Sequence, residues 1–341
     1  MCEAPAPGAV TDAGRDRFLI VKTSSMGDVV HAAALASDLA RRYPDAAIDW
    51  LVEESFAAIP RLHRAVDRVI TVALRRWRRA PWSPAVWREI RQSKRALREH
   101  RYRAILDCQG LLKSAWMARW ARGPRWGFDL GSAREPLAAL LYTHVAAVGR
   151  DRHAIARNRA LGAAACGTDD ATPPDFGLRA PALSGEWLAQ TAAPYAVLLT
   201  NASRPSKLWP DERWRTVADH LHGRGLRALL FAGNAQEAVA TRARAAAMAD
   251  AWVAPPCALE TVAAVLARAR LVIGLDTGLT HLAAALGVPT VGIFCDYDPR
   301  LAGVVGTAPC ASLGGVGAAP DAEAVIAAAE RLLAAAKRGA P

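Results

Sequence analysis

The chain has 341 residues, in which 43 Lys and Arg outnumber 32 Asp and Glu by 11. This length is typical of about two domains, and 52% apolar against 22% charged residues excludes an intrinsically disordered protein. All of the positive excess lies in one block, residues 61–103, which holds 14 basic and 3 acidic residues. A diffusely basic surface is therefore excluded.

Export, membrane spanning and disulfide frameworks are also disfavoured. No run of about 18 apolar residues is present, so we expect no transmembrane helix. Residues 1–17 lack the apolar core of a signal peptide and are predicted to form a disordered leader. The 6 cysteines are scattered without a C-x-x-C pair, which favours free thiols in a reducing cytoplasm over disulfides or a zinc site.

Short β-rich runs alternate with amphipathic helical stretches in the first half of the chain. This order predicts a parallel sheet with crossover helices. We predict strands at residues 18–21, 48–52, 68–74 and 104–108. We predict helices at residues 29–42, 86–100 and 111–121.

The second half repeats this plan after a linker-like segment at residues 162–194, where the periodicity drops. The predicted strands are residues 195–200, 226–232, 251–254, 271–275 and 290–294. The predicted helices are residues 211–222, 235–248, 259–267 and 278–286. The fold class is therefore α/β, with two doubly wound domains facing one cleft, and ligands are expected beyond the carboxyl ends of the strands. A last helix at residues 322–337 carries an apolar stripe, for which packing back across the cleft is one candidate arrangement.

The turn after the first strand, in the sequence LIVKTSSMGDVVH, is a candidate anion or sugar site. Gly27 would let a ligand approach the backbone, and the start of the next helix presents free N–H groups. Asp28 at that start has two interpretations. It is either an acid that caps the helix, which spacing alone favours, or a general base that faces the cleft and takes a proton from a hydroxyl.

Two loops of the second half are similar candidates. Ser203, Arg204 and Lys207 follow its first strand and would suit a diphosphate, although a solvated basic loop explains them equally well. Asp276, Thr277 and Gly278 join a buried strand directly to a helix, with Thr280 and His281 alongside. For any single residue of this second loop, a packed turn remains the default interpretation.

Two tempting motifs are better explained otherwise. Asp276-Thr277-Gly278 spells the aspartic-protease triplet, but it lies between a strand and a helix and has no second copy. Asp296-Tyr297-Asp298 spells D-x-D, which holds a metal in some glycosyltransferases. Here Pro299 follows it directly, so turn chemistry is the better interpretation.

Several motifs, taken in order, resemble those of the lipopolysaccharide heptosyltransferases, glycosyltransferase family 9. The resemblance spans residues 18–333, and its Ser-Ser-Met-Gly-Asp turn is more similar to the type that adds the first heptose than to the second type. The motifs that carry it are VKTSSMGDVVH, RRWRR, Asp107-Cys108-Gln109-Gly110-Leu111 with Lys113-Ser114, Ala133-Arg134-Glu135-Pro136-Leu137, Lys207-Leu208-Trp209-Pro210 and Asp276-Thr277-Gly278-Leu279-Thr280-His281.

This resemblance implies a GT-B glycosyltransferase with two Rossmann-like domains. The acceptor would bind to the first domain, residues 18–180. The donor would bind to the second domain, residues 181–320, and a helix at residues 321–337 would follow it. The implied donor is ADP-L-glycero-β-D-manno-heptose, and the implied acceptor is the first Kdo of Kdo2-lipid A. Transfer would invert the anomeric carbon and use no metal and no cofactor. The implied location is the cytoplasmic face of the inner membrane.

The resemblance also implies roles for single residues. Asp28 matches the base that deprotonates the Kdo hydroxyl, and Lys207 matches the lysine on the donor phosphates. Glu237 is the acid available for the ribose. The implied donor-binding residues are Ser203, Lys207, Glu237, Asp276, Thr277, Gly278, Leu279 and His281. The implied acceptor-binding residues are Ser25, Arg75, Arg76, Arg78, Arg79, Gln109, Lys113 and Arg134.

The basic block has three interpretations that the residues leave open. A solvated helix face is the usual explanation for a charge run. Basic residues interleaved with tryptophans also suit nucleic acid. The resemblance favours the third interpretation, an anionic acceptor and an anionic membrane surface, and hence no nucleic acid. The alternatives are therefore a second-type heptosyltransferase or another GT-B nucleotide-sugar transferase, and a nucleic-acid-binding protein without turnover.

Overall fold

The chain is described by a computed structural model over residues 15–183, 187 and 191–338. Residues 1–14 of the predicted leader lie outside this range. The described residues form two six-stranded sheets, and every strand pair within them is parallel. The predicted α/β class with two doubly wound halves is confirmed.

The first sheet has the order β3-β2-β1-β4-β5-β6. Its strands are β1 Arg17–Val21, β2 Ala47–Glu53, β3 Val66–Val72, β4 Ala104–Asp107, β5 Arg125–Phe128 and β6 His144–Ala146. The second sheet has the order β12-β11-β10-β7-β8-β9, which is the same arrangement in the numbering of its own half. Its strands are β7 Tyr195–Leu199, β8 Arg227–Leu230, β9 Ala251–Val253, β10 Leu271–Leu275, β11 Thr290–Phe294 and β12 Cys310–Gly314.

Helices cover these sheets. In the first half they are α1 Met26–Arg42, α2 Ala58–Arg61, α3 Leu74–Trp77, α4 Pro84–Arg98, α5 Leu112–Ala118 and α6 Ala154–Cys166. In the second half they are α7 Asp211–Gly223, α8 Ala235–Ala246, α9 Leu259–Arg268, α10 Gly278–Ala285, α11 Pro299–Ala302 and α12 Ala322–Arg338. Short 3-10 helices lie at Glu54–Phe56, Pro136–Leu141 and Pro205–Lys207. No helix in the described ranges is long and apolar enough to cross a membrane.

The chain reverses its strand order between β1 and β4 in the first sheet and between β7 and β10 in the second. In doubly wound sheets this reversal opens a crevice at the carboxyl ends of the strands. The loops after these four strands therefore mark the place where a ligand is expected, and they include the three loops after β1, β7 and β10 that the sequence marked as candidate ligand sites.

The two halves touch where α1 packs against α10. The contact is close because two glycines lie in it. A Cβ atom on Gly278 would fall 2.5 Å from the Cβ of Met26, and one on Gly27 would fall 3.3 Å from His281. Distances under 3 Å are not tolerated by real side chains, so Gly278 is required for the two helix starts to meet. This contact brings the loops that carry Asp28 and Asp276 to one cleft.

The structure differs from two predictions. The linker predicted at residues 162–194 starts too early, because α6 continues to Cys166, whereas residues 167–183 hold no helix. A Cβ on Gly162 would lie 2.2 Å from the Cδ1 of Leu35. That glycine lets α6 pack on α1, and it is not a linker residue. The last helix, α12, packs on β10, β11, β12 and α7 within the second half, so it does not return across the cleft.

The sequence missed the strands β5, β6 and β12, the helix α6 and the four-residue helices α2, α3 and α11. The three strands are only 4, 3 and 5 residues long and lie at or beside sheet edges. Helix α6 buries Asn158 and Arg159, with Arg159 bonded to the buried carboxylate of Asp38 at 2.6 Å. Because polar residues occupy its buried side, its apolar residues show no clear helical stripe.

Candidate active site

A cleft of about 840 Å³ opens between the halves and is lined by the four loops at the strand-order reversals. The predicted Ser25, Asp28, Gln109 and Arg134 line it from the first half. From the second half, all eight predicted donor-side residues line it: Ser203, Lys207, Glu237, Asp276, Thr277, Gly278, Leu279 and His281.

Asp28 lies in the first turn of α1. Its Oδ2 atom accepts hydrogen bonds from the backbone N–H and the hydroxyl of Ser25, both at 3.0 Å. No hydrogen bond from the described residues reaches Oδ1, whose nearest cation is the Lys22 Nζ at 3.6 Å. The two interpretations of Asp28 are thus compatible, since one oxygen caps the helix while the other remains available in the cleft.

The cations around Asp28 keep it ionised. Burial favours the neutral acid, but the charges of Lys22 and Arg134 and the Ser25 N–H outweigh it and lower the pKa of Asp28 from 3.8 to about 2. Arg134 Nη1 lies 3.7 Å from Oδ2. Lys22 is fixed by a 2.7 Å hydrogen bond to the carbonyl of Cys108.

Gln109 supports the same loop. Its Oε1 accepts the backbone N–H groups of Thr23 and Ser24, both at 3.1 Å. Gln109 is buried at 2% exposure, so its visible contacts hold the turn in which Ser25 and Asp28 lie. A role for Gln109 in acceptor binding stays a prediction.

The donor side centres on Asp276. Its Oδ2 accepts a 2.5 Å hydrogen bond from the Lys207 Nζ, which also reaches the Asp276 carbonyl at 3.1 Å. Its Oδ1 pairs with His281 Nε2 at 3.2 Å. Burial would raise the pKa of Asp276, but these bonds to His281 and Lys207 lower it instead. Both carboxylate oxygens are therefore occupied.

A pair of histidines joins the two sides. His31 Nε2 lies 3.2 Å from His281 Nδ1, and both rings are 5% exposed. Because the ionised Asp276 accepts from His281 Nε2, a neutral His281 presents Nδ1 as an acceptor, and His31 must donate its Nε2–H to it. Burial and the neighbouring His281 hold the pKa of His31 well below its usual value, which keeps this ring neutral. The sequence reading had assigned no role to His31.

Arginines surround the first-half side of the cleft. Arg150, Arg152 and Arg157 line it together with Arg134. The Arg157 guanidinium lies 4.6 Å from the centre of the Phe128 ring, and burial lowers its pKa. Sequence reasoning missed Arg150, Arg152 and Arg157, because they lie outside the basic block and either between β6 and α6 or within α6, neither of which was predicted. Such a group of guanidinium ions suits an anionic ligand.

The RRWRR arginines lie elsewhere. Arg75, Arg76, Arg78 and Arg79 are exposed, and none of them lines the cleft. Arg76 pairs with Glu54 and Glu89, both at 2.9 Å. Lys113 is also exposed and outside the cleft. For these five residues, contact with an acceptor stays a prediction.

Two further interpretations can be compared with the geometry. Asp298 accepts the backbone N–H of Arg300 at 2.9 Å and caps α11, which confirms turn chemistry for the D-x-D sequence. Glu237 accepts from the Gly233 N–H and the Asn234 amide, both at 2.8 Å, and so closes the start of α8. Its side chain lines the cleft, and ribose binding by Glu237 stays a prediction.

Known proteins resemble the chain in sequence and in structure. The model of glycosyltransferase family 9 (heptosyltransferase) matches residues 90–325. Lipopolysaccharide heptosyltransferase 1 of Pseudomonas aeruginosa is 42% identical over 294 residues, which cover 85% of this chain and 81% of that protein.

Two solved structures are similar over nearly the whole chain. E. coli heptosyltransferase WaaC with ADP has a TM-score of 0.83 and 38% identity, covering 92% of this chain and 99% of that one. E. coli heptosyltransferase WaaC with ADP-2-deoxy-2-fluoro heptose has a TM-score of 0.78 and 36% identity, covering 94% and 98%.

Proposed function

The chain belongs to glycosyltransferase family 9, the heptosyltransferases, and we propose that it transfers L-glycero-D-manno-heptose from ADP-L-glycero-β-D-manno-heptose to the first Kdo of Kdo2-lipid A. The observation that carries the proposal is the pairing of two carboxylate sites across one cleft. Asp28 has a free oxygen on one side, and on the other side Asp276 holds the Lys207 ammonium in the cleft. The relatives named above supply the substrate class.

On the donor side, the diphosphate would lie between Lys207 and the start of α10. The leaving ADP develops negative charge as the glycosidic bond to phosphate breaks. The Lys207 ammonium and the free N–H groups at Gly278 and Leu279 are positioned to stabilise that charge. Because these groups supply positive potential themselves, we expect the reaction to need no divalent metal.

On the acceptor side, the Oδ1 of Asp28 would take the proton of the attacking Kdo hydroxyl. The Kdo carboxylate would pair with Arg134 and its neighbours. That pairing draws Arg134 away from Asp28, weakens the cationic field on its carboxylate and raises its basicity toward the usual value. A single displacement, in which the hydroxyl oxygen bonds to the face of the sugar opposite the departing diphosphate, inverts the anomeric carbon.

Each of the two sheets forms the core of one substrate-binding domain. We take residues 18–180 as the acceptor-binding domain, residues 181–320 as the donor-binding domain, and the final helix as part of the second. The exposed arginines of α4, namely Arg88, Arg91, Arg95 and Arg98, give the first domain a cationic face. This face supports a peripheral position on the anionic cytoplasmic surface of the inner membrane, where the acceptor is anchored.

The test is an assay of ADP release. Purified protein should release ADP rapidly only when ADP-heptose and Kdo2-lipid A are both present, and it should keep this activity in EDTA. Replacing ADP-heptose by ADP-glucose or UDP-sugars should leave little turnover. Turnover only on an acceptor that already carries one heptose would instead identify a second-type enzyme. Salt-sensitive nucleic-acid binding without ADP release would overturn the proposal.

A further inference from the structure

A group of exposed apolar side chains lies beside the acceptor half of the cleft, outside the basic block. Leu112 and Trp116 stand one turn apart on α5 and are 41% and 58% exposed. Leu137 and Leu140 stand one turn apart on the 3-10 helix Pro136–Leu141 and are 59% and 70% exposed. We call these four residues the apolar face.

The two helices that carry the apolar face form one unit. They pack against each other, and the Glu135 carboxylate accepts the Leu112 N–H at 2.6 Å. The Glu135 N–H in turn donates to the Gly110 carbonyl at 3.0 Å. Four large apolar side chains are thus displayed together on a fixed surface. Exposed apolar patches of this kind mark surfaces that a partner or a membrane covers.

The position of the face relates it to the cleft. Helix α5 begins three residues after Gln109, and the 3-10 helix begins two residues after Arg134. Both of those residues line the cleft. The apolar face therefore continues the acceptor wall of the cleft outward onto the surface of the protein.

Cations border the face. Lys113 is exposed on α5, and the Arg119 guanidinium lies 5.6 Å from the centre of the Trp116 ring. One turn further along the chain, Trp120 packs under the Lys94 ammonium at 4.9 Å, which joins α5 to the cationic helix α4. Glu135 is the nearby acid, and its carboxylate is occupied by the α5 backbone. Leucine and tryptophan ringed by lysine and arginine are the residues that insert into anionic bilayer interfaces.

We propose that the apolar face docks on the surface of an anionic phospholipid bilayer and inserts Trp116, Leu137 and Leu140 among the acyl chains. This inference rests on the proposed function, because a lipid-anchored acceptor gives the docking its purpose. The docked protein presents its acceptor wall to the headgroup layer. A sugar that projects from the bilayer can then enter the cleft without leaving the membrane.

Binding to vesicles tests the face itself. The full chain should co-sediment with phosphatidylglycerol–phosphatidylethanolamine vesicles, and Leu137→Ser/Leu140→Ser should partition about tenfold more weakly. The matched control is Val239→Ser/Val316→Ser, which removes two apolar side chains that are 64% and 73% exposed on the other half. Equal vesicle binding by both double variants would overturn the proposal.

The fluorescence of Trp116 gives a second test, because electrostatic attraction to the vesicle surface alone would not bring this side chain among the acyl chains. Brominated acyl chains should quench part of the fluorescence of the wild type, and Trp116→Phe should lose that part. Light scattering tests whether a second copy of the chain, and not a membrane, covers the apolar face. A dimer that Leu137→Ser/Leu140→Ser converts to monomer would mean that a second copy covers the face, and it would contradict membrane docking.

Turnover separates this inference from the proposed function. With a water-soluble, deacylated Kdo acceptor, Leu137→Ser/Leu140→Ser should match the wild type in kcat/KM. With Kdo2-lipid A in anionic vesicles, the same variant should fall by about tenfold. Equal activity of the two proteins on vesicles would refute the docking. Absence of ADP release by the wild type on both acceptors would refute the proposed function, and the vesicle-binding result would still decide the docking.

Discussion

Asp28 and Asp276 line the same cleft from opposite halves of the chain, yet their surroundings differ. Both carboxylates stand at the start of a helix, and the pKa of each is lowered. Lys207 bonds directly to Asp276 at 2.5 Å, and His281 takes its other oxygen. Lys22 stays 3.6 Å from Asp28 and leaves Oδ1 open.

An aspartate side chain has two different functions at these two positions. A carboxylate whose oxygens are both bonded holds its partners in place, so Asp276 orients Lys207 and fixes the tautomer of His281. A carboxylate with a free oxygen beside cations at longer range is ionised and still able to accept a proton. The distances to the neighbouring cations, more than the direction of the pKa shifts, distinguish the base from the anchor.

The largest expected effect is that of Asp28→Asn. The variant keeps the side-chain shape but cannot accept the hydroxyl proton, so kcat for heptose transfer should fall by roughly 10²–10⁴. The donor KM should change little. Asp321→Asn is the matched control, because Asp321 also caps a helix, accepting the Ala324 N–H at 2.7 Å, but lies outside the cleft. If both variants turn over at similar rates, Asp28 acts only as a cap.

Lys207→Met should follow in magnitude. It removes the cation that faces the leaving diphosphate, and kcat should drop by roughly 10²–10³ with weaker ADP binding. Calorimetry with ADP and steady-state kinetics measure the two effects. Lys94→Met serves as the control, since Lys94 stacks on Trp120 away from the cleft. Normal ADP affinity in Lys207→Met would remove Lys207 from the donor site.

A smaller effect should distinguish two arginines of similar exposure. The Arg134 side chain is 54% exposed and lines the cleft, whereas Arg76 is 50% exposed and engaged by two glutamates outside it. Arg134→Gln should raise the acceptor KM by about tenfold, because a charge-assisted pair to a carboxylate is lost. Arg76→Gln should change it less than about twofold. A larger rise in the acceptor KM for Arg76→Gln than for Arg134→Gln would instead place the acceptor site at the basic block.

The smallest effect concerns stability and pH. Folding lowers the pKa of Asp28 from 3.8 to about 2, so the folded protein binds this proton less tightly than the unfolded chain. The resulting stability, up to about 2 kcal/mol, is present above pH 5 and is lost as the pH falls through 3.8 toward 2. Urea unfolding should give the wild type a larger free energy of unfolding than Asp28→Asn at pH 7, and this difference should shrink by pH 3. A difference that grows with acidity would contradict the ionised state of Asp28.

The sequence was informative where local chemistry and hydrophobic period agree. The β1, β7 and β10 loops were found because a buried strand, a short polar turn and a helix follow one another there. Arg150, Arg152 and Arg157 escaped notice, since counting charge along the chain does not reveal which arginines the fold gathers into one wall. His31 was missed for a similar reason. Its partner lies 250 residues away and is defined only when α1 meets α10.

The basic block shows the opposite case. Its charge is the most conspicuous property of the sequence, and its helix does bury one stripe through Val86 and Leu97 and expose the other. Arg76 nevertheless forms ion pairs with Glu54 and Glu89 of its own half. Trp77 is buried and hydrogen-bonded to Glu89 at 2.7 Å, whereas Trp82 and Trp87 are 88% and 46% exposed. Charge patterning located a face of the protein but not the residues of its cleft.

The anomeric configuration of the product tests the central claim most directly. A single displacement, with Asp28 as base on one side and the diphosphate leaving toward Lys207 on the other, must invert the sugar. Purified protein given the β-linked donor and Kdo2-lipid A should therefore yield one added heptose, and its anomeric NMR signals should show the α configuration. A β-linked product would require a second displacement and would contradict this assignment of the two carboxylates.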